Sequence, residues 1–388
     1  MKKIILLVLT LNALLYAKPT MSQKSYEMLM TAQKHIEENK IVQAKEILNK
    51  LLKKNNNYVK SYAYQYLANI SLGNNDYIKT QEYYEQIIEL NSFEKNNINR
   101  IKLSLSKIYL SLEKFDKSIQ LSKDLLKTSK VEKESIYETL IYSYYYTKDY
   151  KNSLYYNKEY IKIAKEKKEN IYQILYSSYI ELKDYPKAIS TLNIMIKQWH
   201  AQQNYWLQLI SLYQETKQYK KALSTIELSY KKDVLDPNKN TQFYVNLLLQ
   251  NNLFQKGSLA LENGIKNGYI KEDKKSFELL ISAYLSAKEF NKAIAKLSSS
   301  KYAKNEKFKK ILANLHYKKH NYKSTISILK TIPQKTKKQF DPDIQILLSL
   351  CYYELNDIKN TTKHLKKVYH SKNKKRAMGI AKSLQIKL

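Results

Sequence analysis

Between Gln203 and Tyr230 the apolar positions of this chain recur at helical spacing in two short runs separated by a polar break. Trp206, Leu209, Ile210 and Tyr213 fall on one face of a first predicted helix. Tyr219 closes the break, and Ala222, Ile226 and Ser229 form the inner face of a second helix. Ala222 is small where two antiparallel helices must approach closely, and Tyr213 and Tyr219 fill the wedge around it.

The same paired pattern can be laid along nearly the whole chain. Predicted pairs span 25–55, 58–91, 98–127, 134–164, 170–198 and 203–230, and four looser pairs follow, carrying Leu248 and Phe254, Leu280 and Phe290, Ala313 and Tyr322, and Ser349 and Ile358. The small residues that open the second helices are Ala44, Thr80, Ser118, Ser153, Ala188, Ala222, Gly257, Ala293, Thr325 and Thr361, at intervals of 32 to 38 residues. A period near 34 residues, with an aromatic, a Leu and a Tyr in the first helix and Ala in the second, is the tetratricopeptide pattern. The expected fold is therefore all-α: a right-handed tetratricopeptide (TPR) superhelix, an α-solenoid of about ten helix-turn-helix repeats over 18–370. Residues 371–388 read as a last amphipathic helix, with Ala377, Ile380, Ala381, Leu384 and Leu388 on the face that caps the array. The connectors are short and polar; 167–170 and 234–240 are expected flex points, with a softer joint near 231–242.

Composition agrees and narrows the function classes. Five Gly and five Pro in 388 residues exclude a loop-rich or β-rich chain, and 43% hydrophobic residues suffice for a core. The formal charge of +33 raises the question of nucleic acid. The basic residues are spread over every repeat with no arginine-rich stripe, so an unselected basic surface is the preferred reading and no nucleic-acid partner is expected. Residues 1–17 form an expected signal peptide: Lys2 and Lys3 precede an apolar run, too short for a comfortable span, that ends in Leu15, Tyr16 and Ala17. Cleavage after Ala17 implies export to a periplasm, with no stable membrane span afterwards; an uncleaved anchor is the less favoured alternative.

No catalytic constellation appears: there is no glycine-rich phosphate loop, no Gly-x-Ser-x-Gly elbow and no His-Glu-x-x-His pair. His316 and His320 are four apart, but a third ligand is missing and His316 holds the usual Tyr place of its repeat, so it reads as packing and no metal site is expected. Cys351, the single cysteine, reads as a small core filler. Of the 36 tyrosines, Tyr109, Tyr144, Tyr179, Tyr213 and Tyr284 on first helices and Tyr77, Tyr150, Tyr185, Tyr219 and Tyr322 at turns are expected in the core. The chain is read as non-enzymatic, with no cofactor and no small-molecule ligand.

The informative positions are polar ones inside the apolar runs of the first helices, facing the hollow of the expected superhelix. Asn69, Lys107, Tyr142, Ser177, Ser211, Asn246, Ser282 and Asn314 follow the central small place of their repeats, and Tyr62, Gln65, Arg100, Glu138, Tyr145, Gln173, Asn204, Gln214 and Gln242 share the face. Amide side chains can bond both donors and acceptors of an extended backbone, and Tyr supplies contact area at low entropic cost. These residues form a candidate protein-binding groove for a peptide or helix of a partner; a merely solvated face is the plainer alternative.

Two stretches resemble a known family. The opening Met21-Ser-Gln-Lys-Ser-Tyr26 with Ala32, Gln33 and Ala44-Lys-Glu-Ile-Leu48, and the run Tyr205-Trp-Leu-Gln-Leu-Ile-Ser-Leu-Tyr213 with Tyr219-Lys-Lys-Ala-Leu223 and Ile226-Glu-Leu-Ser-Tyr230, resemble exported tetratricopeptide proteins described as components of TonB systems. The likeness runs from about Met21 to Ala293; Gly257 in the usual Ala place departs from it. It implies a periplasmic scaffold serving a TonB–ExbB–ExbD energy-transducing outer-membrane uptake system, with no catalytic residue to carry over. A second reading is an envelope factor that holds peptidoglycan or lipopolysaccharide machinery through its basic surface.

Overall fold

The computed structural model describes residues 21–128, 133–334, 336 and 340–388, so the expected signal peptide lies outside the described residues. Two units meet in sequence between Ala201 and Gln202. The first holds α1 (Gln23–Glu37), α2 (Ile41–Leu52), α3 (Asn57–Gly73), α4 (Tyr77–Leu90), α5 (Lys95–Ser111), α6 (Phe115–Thr128), α7 (Lys133–Tyr146), α8 (Tyr150–Ile163), α9 (Glu169–Glu181) and α10 (Tyr185–Gln198). The second holds α11 (Gln203–Glu215), α12 (Tyr219–Lys231), α13 (Pro237–Gln250), α14 (Phe254–Lys266), α15 (Lys274–Ser286), α16 (Phe290–Ser299), α17 (Glu306–Lys318), α18 (Tyr322–Lys330), α19 (Pro342–Glu354), α20 (Ile358–Tyr369) and α21 (Lys374–Ser383). Among the described residues there is no strand. Residues 231–242 comprise the end of α12, a short connection in which Leu235 is buried, and the first turns of α13.

Within each unit every helix packs on the helices immediately before and after it in sequence. The turn inside each of the ten pairs is built the same way. Asn39, Asn75, Glu113, Lys148, Lys183, Lys217, Asn252, Lys288, His320 and Asn356 each take a left-handed backbone, with φ between 57° and 62°. The next amide then reaches back to the carbonyl five residues earlier, as in Asp149 to Tyr144, Asp184 to Tyr179 and Asp357 to Tyr352, at 2.8–2.9 Å. This is the Schellman closure of a helix C-terminus, achieved here without glycine. In four of the pairs the residue after the turn is an Asp that caps the second helix. The carboxylates of Asp76, Asp149, Asp184 and Asp357 accept the amides of Lys79, Asn152, Lys187 and Asn360, satisfying donors that the first helical turn leaves unpaired.

The ten small residues opening the second helices are all buried, as their spacing predicts. Where the residue is Ser or Thr its hydroxyl needs a partner: Thr80 and Thr361 bond the N-cap carbonyls of Asp76 and Asp357, and a carbonyl of the facing helix serves the other three. Ser118 donates to Ser106 at 2.8 Å, Ser153 to Ile141 at 3.0 Å and Thr325 to Ala313 at 3.2 Å. At Gly257 a Cβ would lie 2.6 Å from Leu249 Cδ2, the movable end of a side chain on the facing helix. Helix pairs with left-handed turns, buried small contact residues and a period near 34 make this an all-α, tetratricopeptide-like solenoid fold. At the C-terminal end Ala377 and Ala381 are buried, and Ala377, Ile380 and Leu388 pack with Ile346 and Val368, as expected for a capping helix.

The first-helix tyrosines Tyr109, Tyr144, Tyr179, Tyr213 and Tyr284 are buried as expected. The turn tyrosines Tyr77, Tyr150, Tyr185, Tyr219 and Tyr322 are only half-buried, which corrects the core reading. Each is the first residue of a second helix, at the edge of its pair. The Tyr322 hydroxyl donates to Glu354 at 3.3 Å.

Candidate protein-binding face

The candidate residues lie on the odd-numbered helices α3–α13, α15 and α17, the first members of the pairs. In the first unit these helices also touch one another, α1 against α3, α5 against α7 and α7 against α9, so their outer faces adjoin. Asn69, Arg100, Lys107 and Gln173 are exposed; Tyr62, Gln65, Glu138, Tyr142, Tyr145 and Ser177 are half-buried. In the second unit Asn204, Ser211, Gln242, Asn246, Ser282 and Asn314 are exposed and Gln214 is half-buried. The predecessors of Asn69, Lys107, Tyr142, Ser211, Asn246, Ser282 and Asn314 are all buried, whereas Tyr176, before Ser177, is half-buried. A one-residue step around the helix thus carries the chain from core to solvent, as the helical period requires.

The centre of the first unit gathers several of these side chains into one patch on α5, α7 and α9. Lys107 Nζ donates to Ser135 Oγ at 3.2 Å, Lys168 Nζ to Glu138 Oε2 at 2.7 Å, and Asn170 Nδ2 to the Tyr142 hydroxyl at 2.7 Å. Tyr142 and Tyr146, one turn apart, stack at 6.4 Å between centroids, and Tyr146 stacks in turn on Phe115 at 5.6 Å. Tyr145 meets both Tyr146 and Tyr150 edge-on. Tyr146 was not among the expected site residues, yet it is 54% exposed and sits at the centre of this aromatic cluster. Its i,i+4 spacing from Tyr142 was the signal for it. Lys168 and Asn170 were missed because the turn that brings them to Glu138 and Tyr142 is a tertiary feature.

Tyr62 belongs less to an open face than to the packing. Its hydroxyl bonds that of Tyr58 at 3.2 Å, and its ring meets Phe93 at 4.8 Å. In the second unit Gln214 Nε2 donates to Gln250 at 3.3 Å, linking α11 to α13, and Gln242 Nε2 donates to Asn246 at 3.0 Å.

Burial pushes the Tyr142 hydroxyl above its ordinary value, and burial with the Tyr58 hydrogen bond does the same at Tyr62. The hydrogen bond to Glu138 raises Lys168, keeping it a cation. At neutral pH the patch therefore presents neutral tyrosine hydroxyls, amide groups and the Lys168–Glu138 ion pair.

Cys351 is fully buried, and burial lifts its thiol to about 11, in keeping with a core filler. His316 donates no side-chain bond from Nδ1, but its carbonyl accepts the Asn321 amide just as Tyr144 and Tyr179 accept theirs, so it occupies the Tyr place. His320 is the left-handed turn residue and pairs its Nδ1 with the Tyr322 hydroxyl at 2.8 Å. Among the described residues no three His, Cys, Asp or Glu side chains are grouped to hold a metal.

No protein-family model and no curated protein matches the chain. Solved structures do. A Naa15/Naa10 complex bound to HypK-THB matches 89% of this chain at 15% identity and a TM-score of 0.47; the match spans 58% of that chain. A tetratricopeptide repeat protein from Parabacteroides merdae matches 68% of this chain and 99% of its own, at 15% identity and a TM-score of 0.42. The TPR2AB domain of yeast Sti1 in complex with an HSP90 peptide matches 69% and 99%, at 11% identity and a TM-score of 0.33. The assignment of the fold stands on the repeat geometry itself.

Proposed function

We propose that this chain is a non-enzymatic scaffold that binds a peptide or helix of a partner protein along the outer faces of its first helices. The observation that carries the reading is the patch on α5, α7 and α9, where Lys107 meets Ser135, Glu138 meets Lys168, and Tyr142 meets both Asn170 and Tyr146. Stacked, half-exposed tyrosines flanked by amides suit an extended backbone: the rings contribute contact area and the amides pair with peptide groups. The Sti1 domain, solved with an HSP90 peptide, illustrates such an occupant on a repeat of this kind.

The finer reading places the scaffold in a periplasm as an accessory of a TonB–ExbB–ExbD uptake system. It is supported by the apolar leader at 1–17 and by the resemblance carried by Met21–Tyr26 and Tyr205–Tyr213. In-cell crosslinking through a tagged C-terminus, followed by mass spectrometry, tests it. Recovery of TonB, ExbD or a TonB-dependent receptor supports the finer reading, and recovery of wall or lipopolysaccharide machinery alone overturns it. The binding mode is tested separately with the partner so recovered. Alanine at Asn69, Tyr142 and Gln173 should weaken the complex at least tenfold with little change on adding salt, whereas attachment through the basic surface would collapse with salt and ignore these substitutions.

A further inference from the structure

The basic charge is not evenly distributed along the fold. Residues 358–388 carry ten basic side chains and no acidic one, nearly a third of the net charge of +33 in the last 31 residues. Elsewhere acidic side chains are interspersed with the basic ones, and ten lysines pair with them among the described residues, as Lys79 does with Asp76, Lys127 with Asp124, Lys292 with Glu289, and Lys310 with both Glu306 and Asp341. In the last two helices only Arg376 has an ion-pair partner among the described residues, Asp343 of α19. The lysines there are arranged as well as numerous. On α20 Lys359, Lys363, Lys366 and Lys367 follow one another at i, i+4, i+7 and i+8, all exposed and opposite the buried Thr361, His364, Leu365 and Val368. On α21 Lys375 and Lys382 are exposed opposite Ala377 and Ala381, and Met378 beside them is 52% exposed. Holding that many like charges on two packed helices costs stability through repulsion, and a polyanionic surface removes that cost.

We propose that the exposed faces of α20 and α21 dock peripherally on an anionic phospholipid bilayer, with their lysines against the headgroup phosphates. Three features favour a lipid surface over a nucleic acid. Nine of the ten basic residues are Lys, point charges without the planar fork that reads phosphate and base bidentately. Of the two rings on α20, Tyr369 is half-buried and lies under Lys374 Nζ at 4.6 Å and His364 is buried against Tyr352, so neither is open for base stacking. Exposed Met378 and Ile358 provide apolar side chains at the edge of the charged face, where an interfacial helix needs them. No described helix is long and apolar enough to cross a membrane, so the attachment is superficial and salt-sensitive. This inference is independent of the first-helix face on α5, α7 and α9.

The test is co-sedimentation of the full chain with vesicles of phosphatidylcholine alone or with about one third phosphatidylglycerol; the neutral vesicles measure any contribution of the apolar segment at 1–17. One variant replaces Lys363, Lys366, Lys367, Lys375 and Lys382 with Gln, and a charge-matched control replaces the exposed Lys50, Lys123, Lys151, Lys220 and Lys256 with Gln. Thermal melts verify that both fold. Binding to anionic vesicles should exceed binding to neutral ones, fall steeply between about 0.05 and about 0.5 M salt, and drop at least tenfold in the C-terminal variant but less than about twofold in the control. Equal losses in the two variants, no preference for anionic vesicles, or tighter binding to heparin or duplex DNA than to the vesicles would each overturn the proposal.

Discussion

His364 shows how one buried side chain makes the C-terminal pairs sensitive to pH. Its ring stacks on Tyr352 at 5.5 Å, and its Nδ1 pairs with Gln345 Oε1 at 2.8 Å. Because that oxygen can only accept, Nδ1 carries the proton and the neutral tautomer is held. Burial, reinforced by Lys367, Lys363 and Lys330, lowers its pKa to about 4. The unfolded chain, with an ordinary His near 6.5, then binds more protons than the fold below neutrality, so stability is full above that value and declines as pH falls toward 4. Between pH 7.5 and pH 5 the loss from this residue alone is about 2 kcal/mol. Urea unfolding of His364→Gln, which cannot titrate, should show that much less decline over the same range; an unchanged pH slope would contradict the assignment. A second residue-scale expectation concerns Gly264, where a Cβ would meet Ile270 Cδ1 and Thr241 Cγ2, both at 2.9 Å. Gly264→Ala should lower stability by about 1 kcal/mol or more despite the better helix propensity of Ala, because it is crowded from two sides. At Gly257 the crowding comes only from the flexible end of Leu249, and Ala should be tolerated there.

At the scale of the helix pair, the pattern was legible because one rule repeats. A small residue opens the second helix and a Tyr ends the inner face of the first, and both are set by how closely two helices approach. The turns were harder to read, since Lys148, Lys183, Lys217 and Lys288 carry no signature of a left-handed residue. Only their distance from the small residue betrays them. This yields a direct expectation. Lys217, at φ 58°, adopts a backbone that costs an L-residue about 1 kcal/mol and glycine little. Lys217→Gly should raise the melting temperature and Lys217→Val lower it, while the reverse order would mean the turn is not as described. The cap that follows is testable too: Asp184 accepts the Lys187 amide at 3.3 Å, and Asp184→Ala should cost about 1 kcal/mol in chemical denaturation. The arrangement of the candidate face was only partly legible at this scale. Helical periodicity separates Asn69 or Gln173 from the core, but which side chains meet across neighbouring helices depends on the turns between pairs. Hence Glu138 and Tyr142 were found from the sequence while their partners Lys168 and Asn170 were not.

Across the chain, each helix is buried chiefly by its sequence neighbours, so a helix at the end of a unit leaves one face to be covered by something else. At the C-terminal end that cover is α21. Ala377, Ile380 and Leu388 close over Ile346, Val368, Phe340, Leu350 and Tyr369, and the Arg376–Asp343 ion pair ties α21 back to α19. The capping face was visible in the sequence because Ala377, Ile380, Ala381, Leu384 and Leu388 keep a helical period after the last repeat ends. Ending the chain at residue 373 would return those apolar side chains, and the ones beneath them, to water. With full exposure of one buried Val, Leu or Ile side chain costing about 1.5–3 kcal/mol, the loss should be at least about 3 kcal/mol. Since stability in such arrays is passed from neighbour to neighbour, the damage should be graded. Hydrogen exchange should show amides of α19 and α20 losing most protection, those of α11–α14 losing less, and those of α1–α10 unchanged. Uniform loss through both units would mean that the chain unfolds as one cooperative block and that nearest-neighbour packing does not govern its stability.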